Sequence, residues 1–404
     1  MAWHGMAWHV VAGVTRRGVS PAFGDGSRST VSGMSADSFR SFASMAAGSS
    51  PLYAALAEQV SDDARLLEVF EAAGDRQVAL SFAVVHRVLA DHADDPLAAY
   101  YASFGGDRAP DAELAKIFES FVLEHRARIE ALLATGDSQS NEPLRAAQLR
   151  PAFGWAQAGL GRPLGLIEVG TSAGLLLHPD RYGYEYVFDD GSVLERPPAA
   201  GDDQRDTFPA PVLRCPIRGT ATTKTLVPLL SKDLRVSSRV GLDLNPLNPA
   251  DAETKAWLRA QVWPEEADRR ARLDAALAMA ARFPARLRKG DALDILPAAV
   301  GMVSAPAVPC VFVSNTLAHF DTASRTAFVE LIRALGSRQD LVLIMKEPDS
   351  VGLSLFTSRP AAEPSTPPVE TLGAVLYQAG RERCFALGTA GPHGAWLDWA
   401  PAMV

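Results

Sequence analysis

The chain has 404 residues, a formal net charge of −8 at pH 7 and a hydrophobic content of 48%. This length suits two or three domains, and the composition predicts a folded globular protein with a sizeable core. The negative charge argues against broad electrostatic binding to nucleic acid or to an anionic membrane. We therefore expect neither of those partners; the oligomeric state stays open.

The cysteines and apolar runs indicate the compartment. Cys215, Cys310 and Cys384 are far apart and odd in number, so they form neither a disulfide framework nor a C-x-x-C metal motif. No set of His, Cys, Asp and Glu has metal-ligand spacing. No apolar run is long enough to span a membrane, and no signal peptide is recognisable. We expect a cytoplasmic protein with reduced thiols and no bound metal.

The N-terminal part of the chain divides into a tail and a helical region. Residues 1–33 contain MAWHG followed by MAWHV and then a tract rich in Gly, Ser and Arg, so we expect a disordered tail. Met34 is an alternative translation start. Further on, apolar residues recur at helical spacing, which predicts an all-helical domain over residues 34–160. One such helix face consists of Val78, Phe82, Val85 and Leu89.

After residue 160 the pattern changes to short apolar runs separated by helical stretches. The predicted strands cover residues 164–169, 239–244, 286–289, 308–314 and 340–346. The predicted helices between them cover residues 252–262, 265–282 and 322–336. Apolar strands that alternate with helices indicate a parallel sheet covered on both faces. We expect an α/β domain over residues 161–404.

Two segments of this domain depart from simple alternation. Three runs at 371–378, 382–388 and 395–399 are joined by short turns, which predicts an antiparallel edge of the sheet. Residues 178–238 are rich in Pro, Gly and Asp, with a predicted hairpin from Tyr184 to Glu195. We expect this long insertion to form a lid or another substrate-facing element.

The loop after the first predicted strand fits two motifs. GTSAG at residues 170–174 matches G-x-S-x-G, the nucleophile elbow of serine hydrolases, with Ser172 as nucleophile. Glu168, Gly170, Ser172 and Gly174 also match the E-x-G-x-G-x-G loop of methyltransferases, with Ser in place of the middle glycine. An elbow follows a central strand after several others, whereas this loop follows the first strand. Its position favours the methyltransferase motif, with Ser172 as a helix cap beside the cofactor.

Polar residues also follow the later strands. Asp243 ends the second strand, where an acid meets ribose hydroxyls in dinucleotide sites. Asp291 follows the third strand and resembles an acid that meets an adenine amino group, and Ser314 ends the fourth strand. Open α/β sheets bind ligands outside the carboxyl ends of their strands. We predict an S-adenosylmethionine site formed by Glu168, Gly170, Ser172, Gly174, Asp243, Asp291 and Ser314.

Other residues are candidates for catalysis or substrate binding. Asn315 would face the methyl group, and His319 is a candidate general base, with a structural histidine as the alternative. A carboxylate and a guanidinium on one helical turn would suit a polar substrate, although a structural salt bridge fits equally. The substrate candidates are Asn141, Glu142, Arg145 and His393, the last with a loop-locking role as its alternative.

Longer stretches resemble an uncharacterised bacterial family, domain of unknown function 2332 (DUF2332). They are IEVGTSAGLLLHPDRYGY, SQSNEPLRAAQL, WLRAQVWPEEADRRARLDAAL after GLDLNPLN, KGDALDILP and PHGAWLDW, and the resemblance covers roughly residues 40–400. The family has no assigned reaction, but its loop is similar to that of Rossmann-type methyltransferases.

The loop and the strand-end residues, together with this similarity, lead to an expected fold and function. The expected fold is a Rossmann-type, methyltransferase-like, mostly parallel sheet, with an N-terminal all-helical domain and an inserted lid. The expected function is methyl transfer from S-adenosylmethionine to an unidentified small molecule. A non-catalytic methyltransferase-like binding protein and a serine hydrolase are the alternatives.

Overall fold

A computed structural model describes residues 34–74, 77–139, 141–198, 210–363, 365 and 368–404. The tail predicted over residues 1–33 lies outside the described residues. Within them, the chain divides into two compact units. One unit contains residues 34–139 and 255–270, and the other contains residues 141–254 and 271–404.

The described residues contain twelve α-helices. They are α1 (Ala36–Ala46), α2 (Pro51–Asp62), α3 (Ala64–Phe70), α4 (Val78–Leu89), α5 (Leu114–Glu124), α6 (Arg126–Thr135), α7 (Arg145–Leu160), α8 (Thr223–Leu230), α9 (Ala252–Ala260), α10 (Ala267–Arg282), α11 (Ala292–Gly301) and α12 (Thr322–Gly336).

The described residues also contain eleven strands, all in one sheet. They are β1 (Leu164–Val169), β2 (Gly183–Phe188), β3 (Val193–Arg196), β4 (Val212–Arg218), β5 (Val236–Asp243), β6 (Arg286–Lys289), β7 (Val308–Ser314), β8 (Leu341–Glu347), β9 (Glu370–Gln378), β10 (Arg381–Ala390) and β11 (Leu397–Met403).

The first unit is helical, and its described residues contain no strand. Its core is rich in aromatic side chains, among them the fully buried Phe39, Tyr53 and Phe82. Trp263 packs on Tyr53, with 5.6 Å between ring centroids. This contact explains why residues 255–270, which come from the middle of the second unit's sequence, fold with the helices.

The second unit is built on the sheet, whose strand order is β3-β2-β4-β11-β10-β9-β8-β7-β1-β5-β6. Six of its ten strand pairings are parallel, so the prediction of an α/β fold with a mostly parallel sheet is confirmed. Every residue of β1, β7 and β8 is buried, as the apolar runs predict.

Helices cover both faces of these central strands. On one face, Leu296 of α11 and Phe328 of α12 join a core cluster with Val313 of β7. On the other face, Phe153 of α7 packs edge-on against Phe312, with 5.2 Å between ring centroids. Helix α7 therefore belongs to the sheet unit, whereas the sequence places residues up to 160 in the helical domain.

The prediction of a lid over residues 178–238 is wrong for the described part of that segment. The hairpin is present as β2 and β3, but β2 also pairs in parallel with β4, and β4 pairs with β11. Tyr182, Tyr184 and Tyr186 are buried, and the Tyr186 hydroxyl donates to the Ala147 carbonyl of α7 at 2.9 Å. Burial of three tyrosines holds this segment in the main sheet.

The predicted antiparallel edge is correct in direction and wrong in position. Strands β9, β10 and β11 form an antiparallel meander. They lie in the middle of the sheet, because β4, β2 and β3 continue it beyond β11.

Among the described residues, no helix has the length and apolar character needed to cross a membrane.

A glycine in α12 tests the packing of this helix on the sheet. A Cβ at Gly336 would overlap the ring of Tyr377 on β9, and that ring is buried, with its hydroxyl donating to Glu382 at 2.6 Å. We expect Gly336→Ala to lower the free energy of unfolding by about 1–3 kcal/mol, because the ring has no room to shift. Chemical denaturation measures this change.

The matched control is Gly159→Ala in α7, where an added Cβ meets no atom within 4 Å. Alanine favours helix, so this variant should be unchanged or more stable by up to about 1 kcal/mol. Similar losses in both variants would contradict the proposed overlap with Tyr377.

Candidate functional site

The carboxyl ends of β1, β5, β7 and β8 meet at one edge of the sheet. Strand β1 lies between β5 and β7 and runs parallel to both. The chain runs from β1 through β2, β3 and β4 before it forms β5 on one side of β1, and it later forms β7 on the other side. Such a reversal of strand order opens a crevice outside the carboxyl ends, which is the usual ligand site of open α/β sheets.

The loop from Gly170 to Gly174 follows β1 at this reversal. Gly170, Ser172 and Gly174 have positive φ angles of 78°, 48° and 73°. The N–H groups of Gly170 and Thr171 donate to the Leu242 carbonyl of β5 at 2.8 and 3.2 Å. The loop is thus tied to the end of the neighbouring strand.

Gly170 is exposed, although Val169 and Thr171 on either side of it are buried. A Cβ at this position would overlap the side chain of Thr316, which follows β7. Together with the positive φ, this close approach requires glycine. The result is a stretch of bare backbone at the centre of the crevice.

Ser172 is not the helix cap that the sequence predicts. A single 3₁₀ turn, Leu175–Leu177, follows the loop, and its N-cap is Gly174. Pro179 comes two residues after this turn; it lacks an N–H and disfavours helical backbone at His178, so an α-helix cannot continue. The Ser172 N–H instead donates to Asp243 Oδ2 at 2.8 Å.

Asp243 lies beside the loop, as the sequence predicts. It ends β5 and is half-buried. Its Oδ2 accepts from Ser172, and its Oδ1 accepts from the Asn245 N–H at 2.8 Å. A carboxylate has about four acceptor positions, so two such bonds orient it while it can still accept from a ligand.

Asn141, Glu142 and Arg145 point to three different places. The Asn141 amide Nδ2 donates to Ser172 Oγ at 2.8 Å. Buried Glu142 accepts from Arg272 Nε at 3.1 Å, a salt bridge with a residue outside the helical turn that the sequence analysis considered. Buried Arg145 donates to the Ser314 carbonyl at 3.2 Å. Asn141 and Arg145 thus contact the crevice, whereas Glu142 joins α7 to α10.

Glu168 is a buried acid at the end of β1. Its Oε2 accepts from the Thr171 hydroxyl at 2.7 Å, and only 3% of its surface is exposed. Desolvation raises the pKa of Glu168 to about 8, although the bond from Thr171 and the charge of Arg145 lower it. Glu168 therefore holds a proton at neutral pH.

At the ends of β7 and β8, the predicted residue Asn315 contacts two residues that the sequence reasoning missed, Lys346 and Glu370. Fully buried Lys346 donates to Glu370 and, at 3.4 Å, to Asn315 Oδ1. The Asn315 amide also donates to Glu370, and Asn315 has a positive φ of 58°. A lysine inside the apolar run LVLIMK was the available signal, since a buried charge needs a partner.

Glu347 holds the turn that carries His319. Its Oε1 accepts the N–H groups of Thr316 and Leu317 at 2.6 and 3.1 Å. Burial raises the pKa of Glu347 to about 7. His319 ends the next 3₁₀ turn with an exposed side chain. Partial desolvation and then the charge of Arg145 lower its pKa, so the neutral form predominates at pH 7.

The other two predicted residues have local backbone roles in the structure. Asp291 caps α11, accepting from the Leu293 N–H at 2.9 Å, and the Gly290 N–H beside it donates to the Asp243 carbonyl. His393 has a positive φ of 53° in the turn Pro392–Gly394. Gly394 of this turn packs closely against Leu144, next to α7.

Two further findings concern metal binding and the family of this chain. Within the described residues, no group of three or more His, Cys, Asp and Glu side chains could hold a metal ion. A family model described as "Uncharacterized protein conserved in bacteria (DUF2332)" matches residues 36–399. The resemblance found in the sequence is thus confirmed for the family. No curated protein matches the chain.

Glu168 gives a prediction about pH. The ordinary pKa of 4.5 rises to about 8 in the folded protein, so this group's stabilisation is complete below about pH 4.5 and is lost as the pH rises through 8. Glu168→Gln removes this titration. Between pH 5.5 and 8.5 we expect the urea midpoint of Glu168→Gln to fall less than that of the wild type. The difference between the two falls should correspond to more than about 1 kcal/mol of unfolding free energy.

Glu330→Gln on the exposed face of α12 is the control and should keep the wild-type pH dependence. Glu347 titrates in the same direction and remains in all three proteins. An identical pH dependence in Glu168→Gln and the wild type would contradict the protonated state of Glu168.

The Lys346–Glu370 pair gives a second prediction. Glu370→Gln leaves the Lys346 ammonium buried without its counter-charge, and we expect a loss of about 3–5 kcal/mol in unfolding free energy. The double variant Lys346→Met/Glu370→Gln removes both charges and should lose less than the sum of the single variants. Denaturation of the four proteins in this cycle measures the coupling, and strict additivity would contradict it.

Proposed function

We propose that this chain, which belongs to the uncharacterised bacterial family DUF2332, is an S-adenosylmethionine-dependent methyltransferase acting on a small molecule. The proposal rests on the order of the central strands and on the residues at their carboxyl ends. Each of these supports cofactor binding at the reversal beside β1.

The parallel half of the sheet supports a Rossmann-type arrangement. Strands β6, β5, β1, β7 and β8 are adjacent and parallel, with the first strand of the chain at the centre. When these five strands are numbered among themselves in chain order, leaving out β2, β3 and β4, they have the 3-2-1-4-5 order of the doubly wound nucleotide-binding fold. The arrangement departs from that fold at β9, which is antiparallel to β8.

The observation that carries the proposal is the presence of Gly170 and Asp243 at the carboxyl ends of two neighbouring strands. An exposed glycine follows β1 directly, and an oriented carboxylate ends the adjacent strand β5. Bare backbone lets a nucleoside-containing ligand approach closely, and a carboxylate at the next strand end accepts hydrogen bonds from its ribose hydroxyls.

Two features determine how the cofactor would be held. The N–H groups of Gly170, Thr171 and Ser172 donate within the protein, and no α-helix follows the loop, so the methionine carboxylate would be met by side chains. Arg145 is the cation that α7 brings to the end of β7. Asp243 would hold the ribose, and Gly170 would lie against the cofactor.

S-adenosylmethionine supplies an electrophilic methyl group on a positively charged sulfur. The chain's contribution to transfer would be mainly alignment of the acceptor, which accounts for much of the rate in such reactions. Asn315 is held by Lys346 and Glu370, so its amide is a fixed orienting group. Neutral His319 can accept a proton from the acceptor.

The geometry gives no comparable support to a serine hydrolase. The Asn141 amide donates to the Ser172 hydroxyl, whereas a general base must accept a proton from it. In the methyltransferase proposal, Ser172 belongs to the loop and helps to orient Asp243 through its backbone N–H.

Calorimetric titration with S-adenosylmethionine tests the cofactor site. We expect saturable binding to the wild type and at least about tenfold weaker binding to Asp243→Asn, because a charged acceptor for the ribose is lost. Asp251→Asn is the control, since Asp251 caps α9 through the Thr254 N–H and should bind as the wild type does. Absent binding, or equal affinity in Asp243→Asn, would rule out this site.

The transfer step needs a separate measurement. The cofactor with a labelled methyl group is incubated with the protein and a bacterial small-molecule extract, and label in new products is counted. We expect transfer by the wild type and a large loss in Asn315→Ala. Binding without transfer would identify a non-catalytic binding protein instead.

A further inference from the structure

A cavity of about 240 Å³ lies beside the loop of residues 170–174. It is bounded by Ala173, by residues 246–250 after β5, by the C-terminal end of α10 and by Leu287 of β6. It lies where the chain makes a 3₁₀ turn instead of a full helix after Gly174. Only Ala173 is shared with the loop of residues 170–174.

The cavity wall is apolar and made of short side chains. Ten of its twelve lining residues are alanine, proline or leucine, and the other two are His178 and Asn248. None of these twelve residues carries a carboxylate, an ammonium or a guanidinium. A wall of this kind favours an uncharged ligand, because a charged group would lose its hydration without gaining a partner.

His178 is the buried polar side chain of this wall, whereas Asn248 is exposed and accepts from the Ala250 N–H at 3.0 Å. The side chain of His178 is fully buried, and neither ring nitrogen has a hydrogen-bond partner among the described residues. Burial and then the charges of Arg239 and Arg181 lower its pKa to about 3, so the ring is neutral. A neutral imidazole offers one N–H donor and one acceptor nitrogen. Buried polar groups are normally paired, so an orphan ring beside a cavity indicates a missing partner.

We propose that this cavity binds a small uncharged phenol-type molecule, whose ring fills the apolar space and whose hydroxyl pairs with His178. A cavity of about 150 Å³ can hold benzene, so the larger volume here accepts a substituted single ring. A hydroxyl both donates and accepts, which matches either nitrogen of the imidazole. The proposal does not depend on methyl transfer or on S-adenosylmethionine.

Fluorine NMR on the full chain tests this proposal with two probes, 4-fluorophenol and fluorobenzene. We expect both probes to bind the wild type, with about tenfold tighter binding of 4-fluorophenol, because only this probe can pair with His178. No binding of either probe, or equal affinities for both, would overturn the proposal.

Two variants locate the site. Ala281→Phe places a ring in the cavity and should abolish binding of both probes, whereas Ala278→Phe, on the exposed side of the same helix, should bind as the wild type does. His178→Phe keeps the shape and should lose the preference for 4-fluorophenol. Wild-type affinity in Ala281→Phe would contradict the assignment, and so would a retained preference for 4-fluorophenol in folded His178→Phe. If His178→Phe does not fold, the comparison of Ala281→Phe with Ala278→Phe decides the location.

Discussion

The central strands are buried on both faces, and this burial requires polar groups on them to be paired inside the protein. Lys346 on β8 meets Glu370 on β9, and Glu168 on β1 meets Thr171 in the loop. Glu347 accepts two backbone N–H groups of the turn after β7. These interactions lie at the carboxyl ends of the strands. They offset the free-energy cost of burying polar groups, and they also shape the crevice.

The same pairing holds two residues in left-handed backbone conformations. Asn315 is held in a left-handed conformation between Lys346 and Glu370. Ser172 is held in another by Asp243 and Asn141. Backbone in such conformations is found preferentially at functional sites, where the surrounding structure over-determines it. Two such residues at one edge of the sheet support a functional role for the crevice.

Much of the sheet was predictable from local pattern. The strand boundaries of β7 agree with the apolar run at 308–314, and the hairpin from Tyr184 to Glu195 is present as β2 and β3. The position of Asp243 beside the loop was predicted from a general rule, since ligand-binding residues of open α/β sheets collect at the carboxyl ends of the strands. Prediction failed where a residue's partner is distant in sequence: α7 joins the sheet through Phe153 and Phe312, which no local periodicity encodes.

The candidate site divides in the same way. Residues at strand ends, such as Gly170 and Asp243, are visible in the sequence because strand ends and glycines have local signatures. Lys346 and Glu370 are 24 positions apart, and their contact exists only because β8 and β9 pair side by side. The orphan ring of His178 is equally invisible, because burial without a partner is a property of packing.

The sequence by itself determined the family, the strand-and-helix alternation and the loop at the first strand end, since each depends on residue types at short spacing. Only the tertiary structure decided that residues 178–238 extend the sheet and that Ser172 orients an acid rather than capping a helix. It also decided which buried charges meet. Strand pairing and close packing join residues far apart in the chain, and their energies depend on neighbours that a linear pattern does not contain.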